Sequence, residues 1–302
     1  MKHYCSHAFL LLTVLFSNNT LAGVKVHQSL AVSPDGTLFI NISRGLVKIK
    51  GWDKQEISIY GELDDSVKEL VFKTKGDETL IKAESKGEKQ WGDSSVVKIF
   101  MPFHTKLYFK GVNTTFTIKS LQAGVKGKTI SGDLIAEKTG DEISLSSMGG
   151  HIKVINSTGK VKLETVGGDI SMDGSFREAQ IRTMSGNINL NVSSTDKIKA
   201  KTVSGNLFAQ GDVKTNAVIK LSSVNGNINY KAPEDLDAEC SISSQFGGEI
   251  TNKLTKDLVK NSHMNSNSLS FISGDGSGTI ILHTISGNVT IDKGTIDKGT
   301  MP

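Results

Sequence analysis

The sequence is poor in cysteine, with two in 302 residues, Cys5 and Cys240. Cys5 falls in a segment that reads as a removable leader, which leaves a single thiol and excludes an internal disulfide. Cys240 stands in the alternating run Ala238-Glu239-Cys240-Ser241-Ile242, where a small buried apolar residue is expected. An excess of one charge is also missing. Lys and Arg number 35 against 31 Asp and Glu, a net charge of +4 that drops by one with loss of Lys2. The charges read as interspersed, without the clustered basic stripe of a nucleic-acid binder. Beyond the N-terminus there is no long apolar run, so no integral membrane segment is expected once the leader is cleaved. His27, His104, His151, His263 and His283 are scattered without ligand spacing, which argues against zinc.

Residues 1–22 carry Lys2 and His3, then the apolar run Ala8 to Phe16, then Thr20-Leu21-Ala22. A basic start, a short apolar stretch and a small residue at the end predict a secretory signal cleaved after Ala22. Cys5 precedes the apolar run, so it is misplaced for a lipid-modified cysteine. An exported protein, periplasmic or on the cell surface, is the expectation. The remaining chain of about 280 residues can bury a sizeable core.

Residues 23–120 read as antiparallel β, an N-terminal region that caps and leads into a repeat region. Leu38-Phe39-Ile40-Asn41-Ile42, Leu46-Val47-Lys48-Ile49-Lys50 and Ile57-Ser58-Ile59-Tyr60 alternate, and Pro34-Asp35-Gly36 and Gly51-Trp52-Asp53 break them. Asp64 to Lys68 is expected to turn, and Lys86 to Asp93, with Trp91, to form an exposed loop. No amphipathic helix is evident in this region.

From 121 to 291 one motif, or a close variant of it, recurs: Thr or Ser, an apolar residue, Ser or Gly, Gly, Asp or Asn, and an apolar residue, with a degenerate copy at 244. Starts fall at 129, 147, 165, 183, 202, 223 and 244, in steps of 18, 18, 18, 19, 21 and 21, with a further copy at 284. A period near twenty marks a stacked repeat whose units bury their apolar faces against neighbours. Each repeat holds two short alternating strands, as in Lys160-Val161-Lys162-Leu163 and Asp169-Ile170-Ser171-Met172. The fold predicted is all-β, a β-solenoid of two facing parallel sheets, with coils rising about 4.8 Å each. Glycine is expected to turn the corner through a positive φ, the following Asp or Asn to form a polar ladder, and Thr165, Thr183, Thr202 and Ser223 a hydroxyl ladder. Lys253 to Lys260 could form a helical turn or two, Asn261 to Ser268 a polar loop. Residues near 291 are expected to form a final edge strand, and 292–302 a polar tail.

The opening Val32-Ser33-Pro34-Asp35-Gly36-Thr37-Leu38, the segment Leu46-Val47-Lys48-Ile49-Lys50-Gly51-Trp52-Asp53 and the reiterated Thr-Val-Ser-Gly-Asn motif together resemble the bacterial DUF4097 family, with DUF2807 proteins nearby. Members are described as candidate adhesins. The resemblance covers essentially the whole mature chain and implies an exported β-solenoid, right-handed, with no catalytic motif to transfer.

Asp133 and Asp169 share a repeat position two coils apart, about 10 Å, too far for a glycosidase pair. They read as turn caps, and Lys153 and Lys162 as solvated. Gly167-Gly168-Asp169 lacks the rest of a calcium-binding repeat, and later copies carry the poorer ligand Asn. Trp52 reads as a cap on the core and Trp91 as the more exposed aromatic. Outward threonine columns for ice binding would need two per coil, and only one is present. No catalytic, cofactor or metal residue is therefore assigned, and no cofactor is expected. The reading is a non-enzymatic scaffold or adhesin for an envelope polymer or protein partner, with no nucleic acid and an unassigned oligomeric state. The alternatives are a polysaccharide-acting enzyme on the same rod and an envelope-stress or signalling accessory protein.

Overall fold

The computed structural model describes residues 24–85, 94–262 and 265–294. The expected leader, Trp91 and its loop, His263 and residues 295–302 lie outside them.

Among the described residues every regular element is a strand. The first nine are β1 (Val24–Ala31), β2 (Thr37–Asn41), β3 (Arg44–Trp52), β4 (Glu56–Leu63), β5 (Val67–Lys75), β6 (Glu78–Ser85), β7 (Ser95–Pro102), β8 (Lys106–Lys110) and β9 (Asn113–Lys119). The middle of the chain forms β10 (Val125–Thr129), β11 (Leu134–Glu137), β12 (Glu142–Ser147), β13 (Ile152–Thr165), β14 (Ile170–Thr183), β15 (Ile188–Ser204), β16 (Leu207–Gly211), β17 (Val218–Asn225) and β18 (Ile228–Ala232). The last six are β19 (Ala238–Ser244), β20 (Ile250–Asn252), β21 (Lys260–Ser262), β22 (Ser266–Ser273), β23 (Gly278–Ser286) and β24 (Val289–Lys293).

Strands that run into the Ser-Gly corner build a leading sheet, and strands that leave it build a following sheet. Across the stack the leading sheet is β6, β2, β8, β10, β12, the C-terminal parts of β13, β14 and β15, then β17, β23 and β19, all parallel. The following sheet is β7, β3, β9, β11, the N-terminal parts of β13, β14 and β15, then β16, β18, β24 and β20. These eleven coils, at about 4.8 Å each, make a stack roughly 50 Å long.

Period-2 alternation fixes which side chains face inward. Leu107, Val125, Ile143, Val161, Ala179, Ile198, Ile219, Ile280 and Cys240 occupy one register position and form one column of the core. Cys240 ends this column fully buried, and burial pushes its thiol pKa up to about 12, so it acts as the small apolar residue expected. Asp64 caps its own turn, accepting from the Ser66 N–H at 2.8 Å.

Several expectations are corrected. Residues 23–120 are not simply antiparallel. Only β1, β4 and β5 pair that way, on β4, β7 and β6, while β2, β3, β8 and β9 already lie in the parallel stack. Alternation looks the same in both kinds of strand, so direction is set by the partner. The chain is also out of order at both ends. The first coil, β2–β3, is wedged between β6–β7 and β8–β9. The last coil, β23–β24, is wedged between β17–β18 and β19–β20. β24 is thus an interior strand with Ile291 fully buried, rather than a final edge. Finally, Lys253 to Lys260 is not helical. The Asn252 side-chain oxygen accepts the N–H groups of Leu254 and Thr255, both at 3.1 Å, and turns the chain instead. The expected polar loop after Lys260 holds β21 and part of β22, and β22 caps β19 antiparallel.

The corner glycines are also needed for a different reason. Only Gly132, Gly205 and Gly287 among them have positive φ, at 119°, 153° and 158°. What the column shares is crowding: a Cβ on Gly150, Gly168, Gly186, Gly205, Gly226 or Gly287 would strike the carbonyl oxygen of the corner glycine in the neighbouring coil. Gly168→Ala is therefore expected to cost about 1–3 kcal/mol, as overpacking does, in urea denaturation. Gly167→Ala, whose Cβ would meet nothing nearer than 3.5 Å, should stay within about 0.5 kcal/mol of wild type.

Asp237 holds the turn that feeds β23 into its slot. Its carboxylate accepts the Ser277 hydroxyl at 2.5 Å and the Ser277 N–H at 3.1 Å. The hydroxyl bond foremost, then the turn amides, keeps its pKa below the usual carboxylate value. A folded pKa that is depressed gives stability that is present above the unfolded value and lost as pH falls through the folded one. The melting-temperature gap between wild type and Asp237→Ala should accordingly be full at pH 7 and narrow below about pH 4.

Candidate functional site

The outer face of the leading sheet gathers charges that the sequence disperses. In each of its strands the residues between core positions point to solvent, and from β8 to β17 the basic ones far outnumber the acidic. From β8 to β17 this face carries Lys106, Lys110, Lys126, Lys128, Lys160, Lys162, Arg182, Lys197, Lys199, Lys201 and Lys220 against Glu142, Glu164 and Glu178. All eleven cations are exposed. Successive strands set them about 4.8 Å apart, and alternate positions along a strand about 6.7 Å apart. Lys162 pairs with Glu164 at 3.3 Å and Lys197 with Glu178 at 3.4 Å. Among the described residues no carboxylate approaches the other nine within ion-pair distance. Lys110 and Lys128 lie directly in register, as do Lys199 and Lys220, and like charges so placed are destabilising. The interspersed charge inferred from the sequence is thus sorted in space, with a strong basic field on one face.

Over the body of the stack the following sheet is less biased, although β3 and β7 at its start add Lys48, Lys50 and Lys98. From β9 to β24 its outer face carries Lys119, Lys153 and Lys231 with Glu137, Asp173 and Asp292. Lys119 pairs with Glu137 at 2.5 Å, and that hydrogen bond lowers the Glu137 pKa. Elsewhere amides dominate: Asn191 donates to Asp173 at 2.5 Å and Gln210 to Asn191 at 3.1 Å.

Beside the corner, the basic face ends in an apolar column. Val112, Ile130, Met148, Val166, Met184 and Val203 stack one per coil, the carbonyls of the first five accepting an N–H from the next coil at 2.6–2.9 Å. Each is 37–57% exposed, well outside the core. Val224 and Ile285 continue the column, half-buried. They follow the same alternation as the cations: Lys128, Arg182 and Lys201 lie two residues before Ile130, Met184 and Val203.

One residue inward, the corner hydroxyls are structural. Thr165 donates to the Gly150 carbonyl at 3.1 Å, Thr183 to Gly168 at 3.2 Å, Thr202 to Gly186 at 3.1 Å and Thr284 to Gly226 at 2.9 Å. All four are buried, so they form the expected ladder but display nothing to solvent. The corner Asx ladder is equally regular. Asp133 accepts the His151 N–H at 2.9 Å, His151 Nδ1 the Asp169 N–H at 3.0 Å, and Asp169 the Asn187 N–H at 2.7 Å. Asn187, Asn206, Asn227 and Asn288 extend it to Glu249 at 2.8–3.0 Å. As an acceptor at Nδ1, His151 carries its proton on Nε2.

The candidate chemical residues are not brought together. Asp133 and Asp169 each spend a carboxylate oxygen on a backbone amide. Lys153 and Lys162 stand on opposite sheets. Among the described residues no group of three His, Cys, Asp or Glu could hold a metal ion. Trp52 does not cap the core; it lies half-buried on the outer face, stacked on Phe100 at 5.1 Å, with its indole N–H donating to the Glu56 carbonyl at 2.8 Å. Tyr60 meets Phe100 at 5.9 Å and His27 at 4.5 Å, which extends the aromatic patch across β4 and β1. A shallow hollow on the basic face, bordered by Lys106, Tyr108, Lys126, Asp141, Glu142 and Ser144, has a volume of about 230 Å³. That is below the roughly 300–1,000 Å³ of typical ligand clefts.

Neither the basic face nor the apolar column stands out in the sequence. Their signal is present as lysines at i, i+2 before the repeat's buried Thr or Ser, recurring with the repeat period. Burial of the hydroxyls leads to a direct test. Thr183→Val removes the donor to Gly168 and should cost about 1 kcal/mol in denaturant unfolding. Thr117→Val, on the half-exposed outer face of β9, should be near neutral.

No curated protein matches the chain closely enough to count as a relative. Among solved structures, a candidate adhesin from Parabacteroides distasonis is similar with a TM-score of 0.52 at 14% identity, covering 90% of this chain and 98% of its own. A candidate adhesin from Parabacteroides merdae is similar with a TM-score of 0.50 at 11% identity, covering 89% and 96%. Identities this low speak to fold alone. Among the described residues no helix is long and apolar enough to cross a membrane. The Toastrack DUF4097 family model matches residues 37–292, a span that takes in both wedged coils, and the chain belongs to that family.

Proposed function

We propose that the protein is a non-enzymatic binding scaffold of the bacterial envelope that engages polyanionic partners through the outer face of the leading sheet. The observation that carries this reading is the sorting of eleven cations against three carboxylates on that one face. Lysines held in register against their own repulsion, without ion-pair partners, work against stability and favour a ligand with closely spaced negative groups. The stack fixes the spacing, so binding is multivalent: many weak contacts on a rigid grid add up to useful affinity. The adhesin names of the two structural neighbours accord with a surface-binding role, and the leader expected at residues 1–22 accords with export to the periplasm or cell surface.

This differs from a display of hydroxyls and amides along the corner. Thr and Ser there are buried, and the Asx side chains are committed to the next coil.

Binding to dextran sulfate, measured by interferometry from 50 to 300 mM salt, tests the assignment. Affinity should fall steeply with salt. Lys199→Glu with Lys201→Glu should weaken binding at least tenfold. Lys153→Glu with Lys231→Glu on the opposite sheet should change it less than about threefold, since screened charges one sheet away act weakly at a Debye length near 10 Å. Equal losses from both pairs, or no binding at low salt, would remove the basic face as the working surface.

A further inference from the structure

We propose that the polyanion is a lipid leaflet: the basic face docks on anionic headgroups and the apolar column beside the corner seats in the headgroup region. This rests on the polyanion-binding reading above and adds the second half of the same face. A soluble polyanion would be served by the lysine grid alone. It offers nothing to a line of exposed Val, Ile and Met side chains, which lose free energy in water and gain it only against an apolar phase.

The geometry suits a flat boundary. Because the coils stack in register, the six most exposed members run straight for about 24 Å, five coil steps. They sit beside the corner with about half of each side chain open to solvent. The column borders basic positions in several coils: Lys128, Arg182 and Lys201 precede Ile130, Met184 and Val203 by two residues, on the same face, while Ser146 and Glu164 precede Met148 and Val166. A long cationic stem beside an inserted apolar side chain can hold its charge at the phosphate level, as snorkelling residues do at interfaces. Apolar side chains that enter the boundary, flanked by Lys and Arg attracted to anionic lipid, are the two components of reversible interfacial binding. From β9 to β24 the outer face of the following sheet has balanced charge and amide ladders, so over the body of the stack the leading side is the preferred one. Nothing needs to cross the bilayer, since the strands keep their hydrogen bonds within the stack and only side chains enter.

The chain beginning at Gly23 contains every described element, and it serves for the test. Its sedimentation with vesicles of phosphatidylcholine and phosphatidylglycerol at 1:1 is compared with pure phosphatidylcholine, and with dextran sulfate binding in parallel. Strong binding to the mixed vesicles and little to the neutral ones is expected. Met148→Ser with Met184→Ser should weaken vesicle binding at least tenfold and leave dextran sulfate affinity within twofold. Lys199→Glu with Lys201→Glu should weaken both. The positions are exposed, so an unchanged melting temperature is expected and controls for folding. In Met148→Trp, tryptophan emission should shift to the blue on adding mixed vesicles.

Dextran sulfate binding without vesicle binding would overturn the lipid assignment and leave the polyanion function standing. Vesicle binding indifferent to the methionine pair, or a Met148→Trp spectrum that does not move, would equally overturn insertion. A change of oligomeric state in the methionine variant with no change on vesicles would assign the column to a second copy of the chain instead. Failure with both ligands would remove the function and this inference together.

Discussion

The close approach of one corner glycine to the next coil's carbonyl sets the geometry on which the other features depend. With no side chain at Gly150, Gly168 or Gly186, successive corners stack backbone on backbone. The hydroxyl three residues before each glycine then reaches the glycine carbonyl of the neighbouring coil, and the Asx oxygen just after the glycine reaches the next amide. Three ladders, of glycine, hydroxyl and amide, therefore share one corner. Each holds the coils in register, and register is what turns a repeated residue into a column. The core columns, the lysine grid and the exposed apolar line are all consequences of that alignment.

A solenoid must also stop, because an open last coil presents unpaired strand edges. This chain covers its ends in two ways. Antiparallel strands lie over the leading sheet at both limits, β5 on β6 and β22 on β19, and β4 and β1 cover β7 on the following sheet. In addition, the first coil and the last coil are each inserted one place inward. Pairing between residues far apart in sequence, such as Ile228 with Val289, ties the ends to the body of the stack. Terminal repeats in such architectures are atypical for this reason: they bury what an interior repeat would leave to its neighbour.

The proposed binding surface lies on the side of the stack that stability does not need. Inward positions along the strands are held mainly by apolar residues, aliphatic for the most part with Phe109, Phe116 and Tyr230 among them, and the corner is restricted by close contact. The outer face of the following sheet is occupied by amide and ion-pair ladders that support the fold. The outer face of the leading sheet is the exception, with like charges in register and a row of apolar side chains in water. Both features cost stability in isolation, which is why they point to a partner.

The sequence by itself determined the repeat, its period, the two alternating strands per coil, the inward columns and the polar ladders at the corner. These are local or periodic, so spacing alone encodes them. It misplaced the direction of the N-terminal strands, the slots of β2–β3 and β23–β24 and the turn at Lys253 to Lys260. It also missed the meaning of the apolar residue in the motif. Val166 reads the same whether it faces the core or the water, and Lys110 and Lys128 are eighteen residues apart until the coils lie on each other. Strand direction, stacking order and the summing of dispersed charge into one face are properties of partners brought together by folding. Only the tertiary structure could decide them, because each depends on which coil lies next in space, which is not always the coil next in the chain.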